Sequence, residues 1–74
     1  MLKLYDVVKL KTDRNDIGVK AGAEGTIIDI IGDGVAYSVE VFDDNNDTVG
    51  ESIYTHFFKD ELILSEAGAI DEVE

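Results

Sequence analysis

Ala21-Gly22-Ala23-Glu24-Gly25-Thr26-Ile27-Ile28-Asp29-Ile30-Ile31-Gly32-Asp33-Gly34-Val35-Ala36-Tyr37-Ser38-Val39-Glu40-Val41-Phe42 holds the pattern that decides the fold. A glycine-marked turn leads into a β-branched run, Gly32-Asp33-Gly34 reverses the chain, and a second run alternates without a break. Asp-Gly between two such runs predicts a β-hairpin, because both central turn residues tolerate positive φ. On the return strand Val35, Tyr37, Val39 and Val41 share one face, and Ala36, Ser38, Glu40 and Phe42 the other. That period of two belongs to a half-buried strand. The outgoing strand is apolar on both faces at Ile27, Ile28, Ile30 and Ile31, as expected where a strand meets core on one side and a covering loop on the other.

Outward from the hairpin, residues 4–12 read as a first strand, with Val8 and Leu10 inward and Lys9 and Lys11 in solvent. Residues 13–22 form a loop rich in turn formers, whose Ile17 and Val19 are expected to tuck onto the core while Gly18 and Gly22 allow sharp bends. After a polar turn at residues 43–47, the alternation of Val49, Glu51, Ile53 and Thr55 predicts a fourth strand. Residues 57–62 are too short for a stable α-helix and predict one 3₁₀ turn, and Leu62-Ile63-Leu64 a short fifth strand. Residues 65–74 hold four acids, no base and few branched apolar side chains, the composition of a flexible, disordered acidic tail. The compact domain is therefore expected over residues 1–64.

With 74 residues and no cysteine, the chain has neither disulfides nor thiolate metal sites to support it, so a small apolar core must suffice. No apolar run is long enough for a membrane helix and the start lacks the pattern of a signal peptide, which predicts a cytoplasmic protein. Charge is the most informative part of the composition. The net charge is −11, yet residues 1–20 hold five of the six basic residues, and none lies in residues 21–58. A field of that sign disfavours the phosphate contacts that dominate nucleic-acid affinity and favours a basic protein partner.

Five short strands, a long first loop and one 3₁₀ turn are the layout of an all-β, five-stranded SH3-like barrel. Tyr5-Asp6-Val7-Val8-x-Leu10, Val19-Lys20-x-Gly22-x-x-Gly25-Thr26-Ile27-Ile28-Asp29, Ala36-Tyr37-x-Val39-Glu40-Val41 and the later Leu62 together resemble the bacterial domain-of-unknown-function family 4926, over about residues 4–64. The Lys-x-Gly-x-x-Gly-Thr turn alone also occurs in translation and transcription barrels of the KOW type; the first and third segments carry the distinction. What the resemblance implies is a small β-barrel, with no catalytic or ligand residues attached to the family. The Asn45-Asn46 turn and residues 54–58 depart from its usual pattern.

Chemical motifs are thin. Gly22-x-x-Gly25 does not open a helix, so it lacks the backbone donors of a phosphate loop. Asp43-x-Asn45-x-Asp47 begins like a calcium loop, but Thr48 stands where glycine is needed and Tyr54 where a bidentate glutamate is needed. The single histidine, His56, has no Cys to activate. No enzyme, cofactor or metal site is therefore expected. The expectation is a monomeric, non-enzymatic protein-binding module, such as an antitoxin, an immunity protein or an inhibitor that mimics nucleic acid. Its partner-binding residues would be Asp29, Asp33, Glu40, Asp43, Asp44, Asp47 and Glu51, with Phe42 or Phe58 as the apolar anchor. The alternative is a ribosome- or RNA-associated barrel that contacts phosphate through Lys9, Lys11, Arg14 and Lys20.

Overall fold

A computed structural model describes residues 2–66. The expectation for residues 67–74 of the acidic tail lies outside the described residues. Five antiparallel strands, β1 (Val7–Leu10), β2 (Glu24–Ile31), β3 (Ala36–Val41), β4 (His56–Phe58) and β5 (Leu62–Glu66), form one sheet in the order β4-β3-β2-β1-β5. The all-β, five-stranded unit read from the sequence is present. Its last strand returns beside its first, and the sheet is open: no ladder joins β4 to β5 among the described residues. No helix there is long and apolar enough to cross a membrane.

The hairpin forms where the turn chemistry placed it. Gly32, Asp33 and Gly34 all take positive φ, at 60°, 58° and 104°, and the Val35 N–H donates to the Ile31 carbonyl at 3.1 Å. Val35 is consequently a turn residue, 64% exposed, and not the first inward residue of the return strand. Between β2 and β3, Ile27 faces Val39, Ile30 faces Tyr37, and the register shifts between Ile27 and Asp29. This β-bulge, rather than a covering loop over the second face, accounts for the apolar run of β2. The extra residue lets Ile27 and Ile30 both face the core and sends Ile28 outward. Gly25 sits where β3 crosses closest: a Cβ there would lie 2.7 Å from both the Glu40 carbonyl oxygen and Val39 Cγ1.

Val8 and Leu10 point inward from β1, and with Val19, Ile27, Tyr37, Val39, Val41, Phe57 and Leu62 they make the core. Val19 and, partly, Ile17 tuck in from the first loop as their spacing predicts, with Gly18 at φ 73° and Gly22 at φ 91° making the bends. The chain before β1 is fastened to β2 by a bond from the Tyr5 N–H to the Ile27 carbonyl, 2.8 Å, and one from the Ile27 N–H to the Asp6 carbonyl, 3.0 Å.

The fourth strand differs from the expectation. Residues 48–55 hold a 3₁₀ turn at Gly50–Tyr54, and β4 begins only at His56. The cause is Ser52, which is fully buried. Its hydroxyl donates to the Val49 carbonyl at 2.6 Å and accepts from the Val41 N–H at 2.9 Å, so it takes the place of a ladder partner beyond β3. In an alternating strand Ser52 would point to the face opposite Val49, Glu51 and Ile53, and its bond back to the Val49 carbonyl would not form. The expected 3₁₀ turn before β5 is also present, at Lys59–Glu61, so the protein has two. Of the adjacent phenylalanines, Phe57 is buried opposite Tyr37 while Phe58 is 55% exposed. β5 runs on through Ser65 and Glu66, which takes those two residues out of the expected tail.

Candidate functional site

The end of the hairpin away from Gly32-Asp33-Gly34 carries the densest group of the predicted binding residues. Phe42 follows β3 directly, its N–H donating to the Glu24 carbonyl at 2.9 Å, and it bridges to Thr48. The intervening turn is built by Asp43. One of its carboxylate oxygens accepts the backbone N–H of Asn45 at 2.9 Å and of Asp47 at 3.0 Å, and Asn46 takes φ 70°. Asp43 is thus a turn-forming residue, in keeping with the turn propensity of aspartate and asparagine. Asp44 and Asp47 project beside it into solvent.

This turn faces residues 18–24 of the first loop across an open cleft of about 440 Å³, with Phe42 and Val49 against one wall. Glu24, Asp43 and Asp44 rim it, and Lys20 is the one basic residue along its lining. Glu40 lies next to this end, two residues before Phe42, and accepts a bond from the Thr48 hydroxyl at 2.7 Å. Glu40, Phe42, Asp43, Asp44 and Asp47 are therefore brought together.

The other candidates are not. Asp33 sits in the tight turn and Phe58 pairs with Ala36, so the length of β3, about 17 Å for five residue steps, separates both from the Phe42 end. Asp29 lies between, opposite Ser38, its carboxylate accepting the Ile30 N–H at 2.9 Å. Glu51 is exposed on the first 3₁₀ turn. Glu24 joins the acidic end although the sequence reading passed over it; its place in the glycine turn hid that it begins β2 beside Phe42.

The basic residues are divided in a similar way. Lys9 points outward from β1 and Lys11 follows it into the loop, whereas the half-buried Arg14 is engaged by other side chains. Its guanidinium forks onto Asp16 at 3.1 and 3.0 Å, pairs with Glu61 at 2.9 Å, and lies 4.8 Å from the centre of the Phe57 ring. Bonding to Asp16 first, and then to Glu61, holds the Arg14 proton more firmly than usual, and Arg14 in return holds the Asp16 carboxyl below the ordinary aspartate range. The clasp ties the first loop to β4 and the second 3₁₀ turn, across the gap left by the open sheet. Among the described residues no three His, Asp or Glu side chains converge in a way that could hold a metal ion.

Comparison with curated proteins and with solved structures finds nothing that matches. Residues 4–51 match the family described as Domain of unknown function (DUF4926), a span that takes in β1, β2, β3 and the Phe42 turn and stops before β4, β5 and the Leu62 that the resemblance had included. That span covers more than half of the sequence, and the chain belongs to this family.

Proposed function

We propose that the protein is a non-enzymatic cytoplasmic binding module that seats a basic surface of a partner protein on its Phe42 end. The observation that carries this reading is the half-buried Phe42 in an open cleft whose rim holds Glu24, Asp43 and Asp44, within a run of residues 21–58 that contains no lysine or arginine. Carboxylates at the rim speed encounter with a basic patch, and an aromatic ring supplies burial at the centre, the usual division of labour in an interface. Occupying a basic site in this way suits an inhibitor, an antitoxin or an immunity protein, and also a mimic of nucleic acid. Arg14 is already engaged by two carboxylates, which leaves Lys9, Lys11 and Lys20 as the basic side chains for a phosphate-binding alternative.

The test is affinity capture from lysate of the source cell, with the native protein and with an Asp44→Lys, Asp47→Lys, Phe42→Ser variant that spares Asp43 and so spares the turn. The expected result is one basic protein retained by the native chain, released as salt is raised and not retained by the variant. Capture of RNA or ribosomes by both chains would overturn the reading.

A further inference from the structure

The opposite end of the molecule carries a second, independent opening. Among the described residues β5 is an edge of the sheet, with β1 on one side and no strand on the other. Leu10 pairs with Leu62 and Val8 with Leu64, and the Lys11 N–H donates to the Glu61 carbonyl at 2.7 Å. In an antiparallel ladder, bonded and non-bonded pairs alternate. Lys11 and Glu61 being a bonded pair, the backbone N–H and carbonyl of Leu64 point away from β1, toward the free edge.

Beyond that edge lies an open cleft of about 640 Å³, between β5 and the Gly34 turn. Leu2, Leu62 and Leu64 form its apolar wall, and Tyr37 its floor. Tyr37 is 1% exposed, and among the described residues its hydroxyl has no hydrogen-bond partner. No fully buried side-chain oxygen there lacks a partner, so the hydroxyl is the part of Tyr37 that reaches the cleft. An unpaired strand edge, an apolar wall and a lone phenol thus meet in one place.

We infer that this edge accepts an extended segment of a partner protein as a sixth strand. Residues of the segment opposite Leu62 and Leu64 would share their face of the sheet, which is the core face, and so would enter the cleft over Tyr37. Those positions call for apolar side chains; the Tyr37 hydroxyl would donate to a backbone carbonyl between them. The alternate positions would point outward beside Ile63, with Asp60 near one end of β5 and Glu66 at the other, where lysine or arginine is the complementary choice. A second copy of this chain fits poorly, because pairing two β5 edges joins two chains of net charge −11. The cleft over Tyr37 lies at the Gly34 end of β3, whereas Glu66 at the far end of β5 lines an opening shared with Phe42 and Glu24, so the two binding ideas are told apart by shifts at Tyr37 and Leu64 against shifts at residues 42–47.

The probe is a blocked pentapeptide alternating valine and lysine, titrated into the isotopically labelled full chain and followed by backbone amide shifts and hydrogen exchange. Shifts at Tyr37, Leu62 and Leu64, with slowed exchange of the Leu64 amide, are expected. A peptide with serine in place of valine, equal in charge, should bind at least about tenfold more weakly for loss of apolar burial. Tyr37→Phe, which keeps the core packed, should weaken binding about threefold to tenfold, and Leu64→Ser, at a half-exposed position, should weaken it about tenfold as read from the Tyr37 and Leu62 amides. Three outcomes would overturn the inference: equal response to both peptides with shifts confined to residues 42–47, no response at Leu64, or concentration-dependent protection of the Leu64 amide without peptide, which would assign the edge to a second copy.

Discussion

Residues 11–23 and residues 43–55 are connections of similar length, and they are held down by opposite means. The first reaches across the molecule: Val19 enters the core, and Arg14 spans to Glu61 and the Phe57 ring. The second is held by short-range bonds from small polar side chains, Asp43 to its own turn and Ser52 to Val41 and Val49. Long apolar or charged side chains in a loop advertise distant contacts. A buried serine advertises nothing, and that is where the reading of residues 48–55 as a strand went astray.

The contrast is sharpest at Ser52. Ser52→Ala removes a buried acceptor and a buried donor together and strands the Val41 N–H, so it should lower unfolding free energy by about 3 kcal/mol, read from urea denaturation. A loss under about 1 kcal/mol would mean that the second connection is anchored elsewhere. Arg14→Ala should cost about 1.5 kcal/mol, since its ion pairs are part-exposed and the ring contact adds a modest amount. Arg14→Lys should recover less than half of that, because a single ammonium cannot fork onto Asp16 and still reach Glu61. Asp43→Ala should cost about 1 kcal/mol and leave core amide shifts in place, as a change confined to an exposed turn. The smallest effect is on pH dependence. Asp16 is held below its ordinary value by Arg14, so its contribution is present above the ordinary aspartate range and is lost as pH falls through the depressed folded-state value. Asp16→Asn should flatten that part of the acid limb in urea midpoints taken at falling pH, and Arg14→Ala should flatten it as well.

Much of the fold was legible because its determinants are local. Gly32-Asp33-Gly34 specified the hairpin, the period of two in residues 36–41 specified β3, and Ile17 and Val19 declared their burial inside an otherwise polar loop. The bulge at Ile28 was not legible: an extra residue in a ladder shows only when the partner strand is in place. Openness of the sheet is likewise a matter of how far it curls, which no residue pattern in β4 or β5 states. Of the candidate site, the run Phe42-Asp43-Asp44 and Asp47 could be read as a group from adjacency, and Glu40 followed from the strand period. Asp33 and Phe58 were grouped with them by charge and exposure alone, and the length of β3 separates what composition had joined. Glu24 needed the pairing of Gly25 with Val41 before its nearness to Phe42 could be seen.

The pairing of β1 with β5 has a kinetic consequence. Val8 finds its partner Leu64 only near the far end of the described chain, after the hairpin, the Phe42 turn and both 3₁₀ turns have been laid down. Contacts of such long sequence separation slow the search, and small β proteins dominated by them fold on the order of milliseconds to seconds. Until β5 docks, β1 has one bare edge and β2, β3 and the Ser52 clamp must hold their shape unaided. The region matched by the family, which ends at Glu51, holds β1 without the strand that completes its pairing.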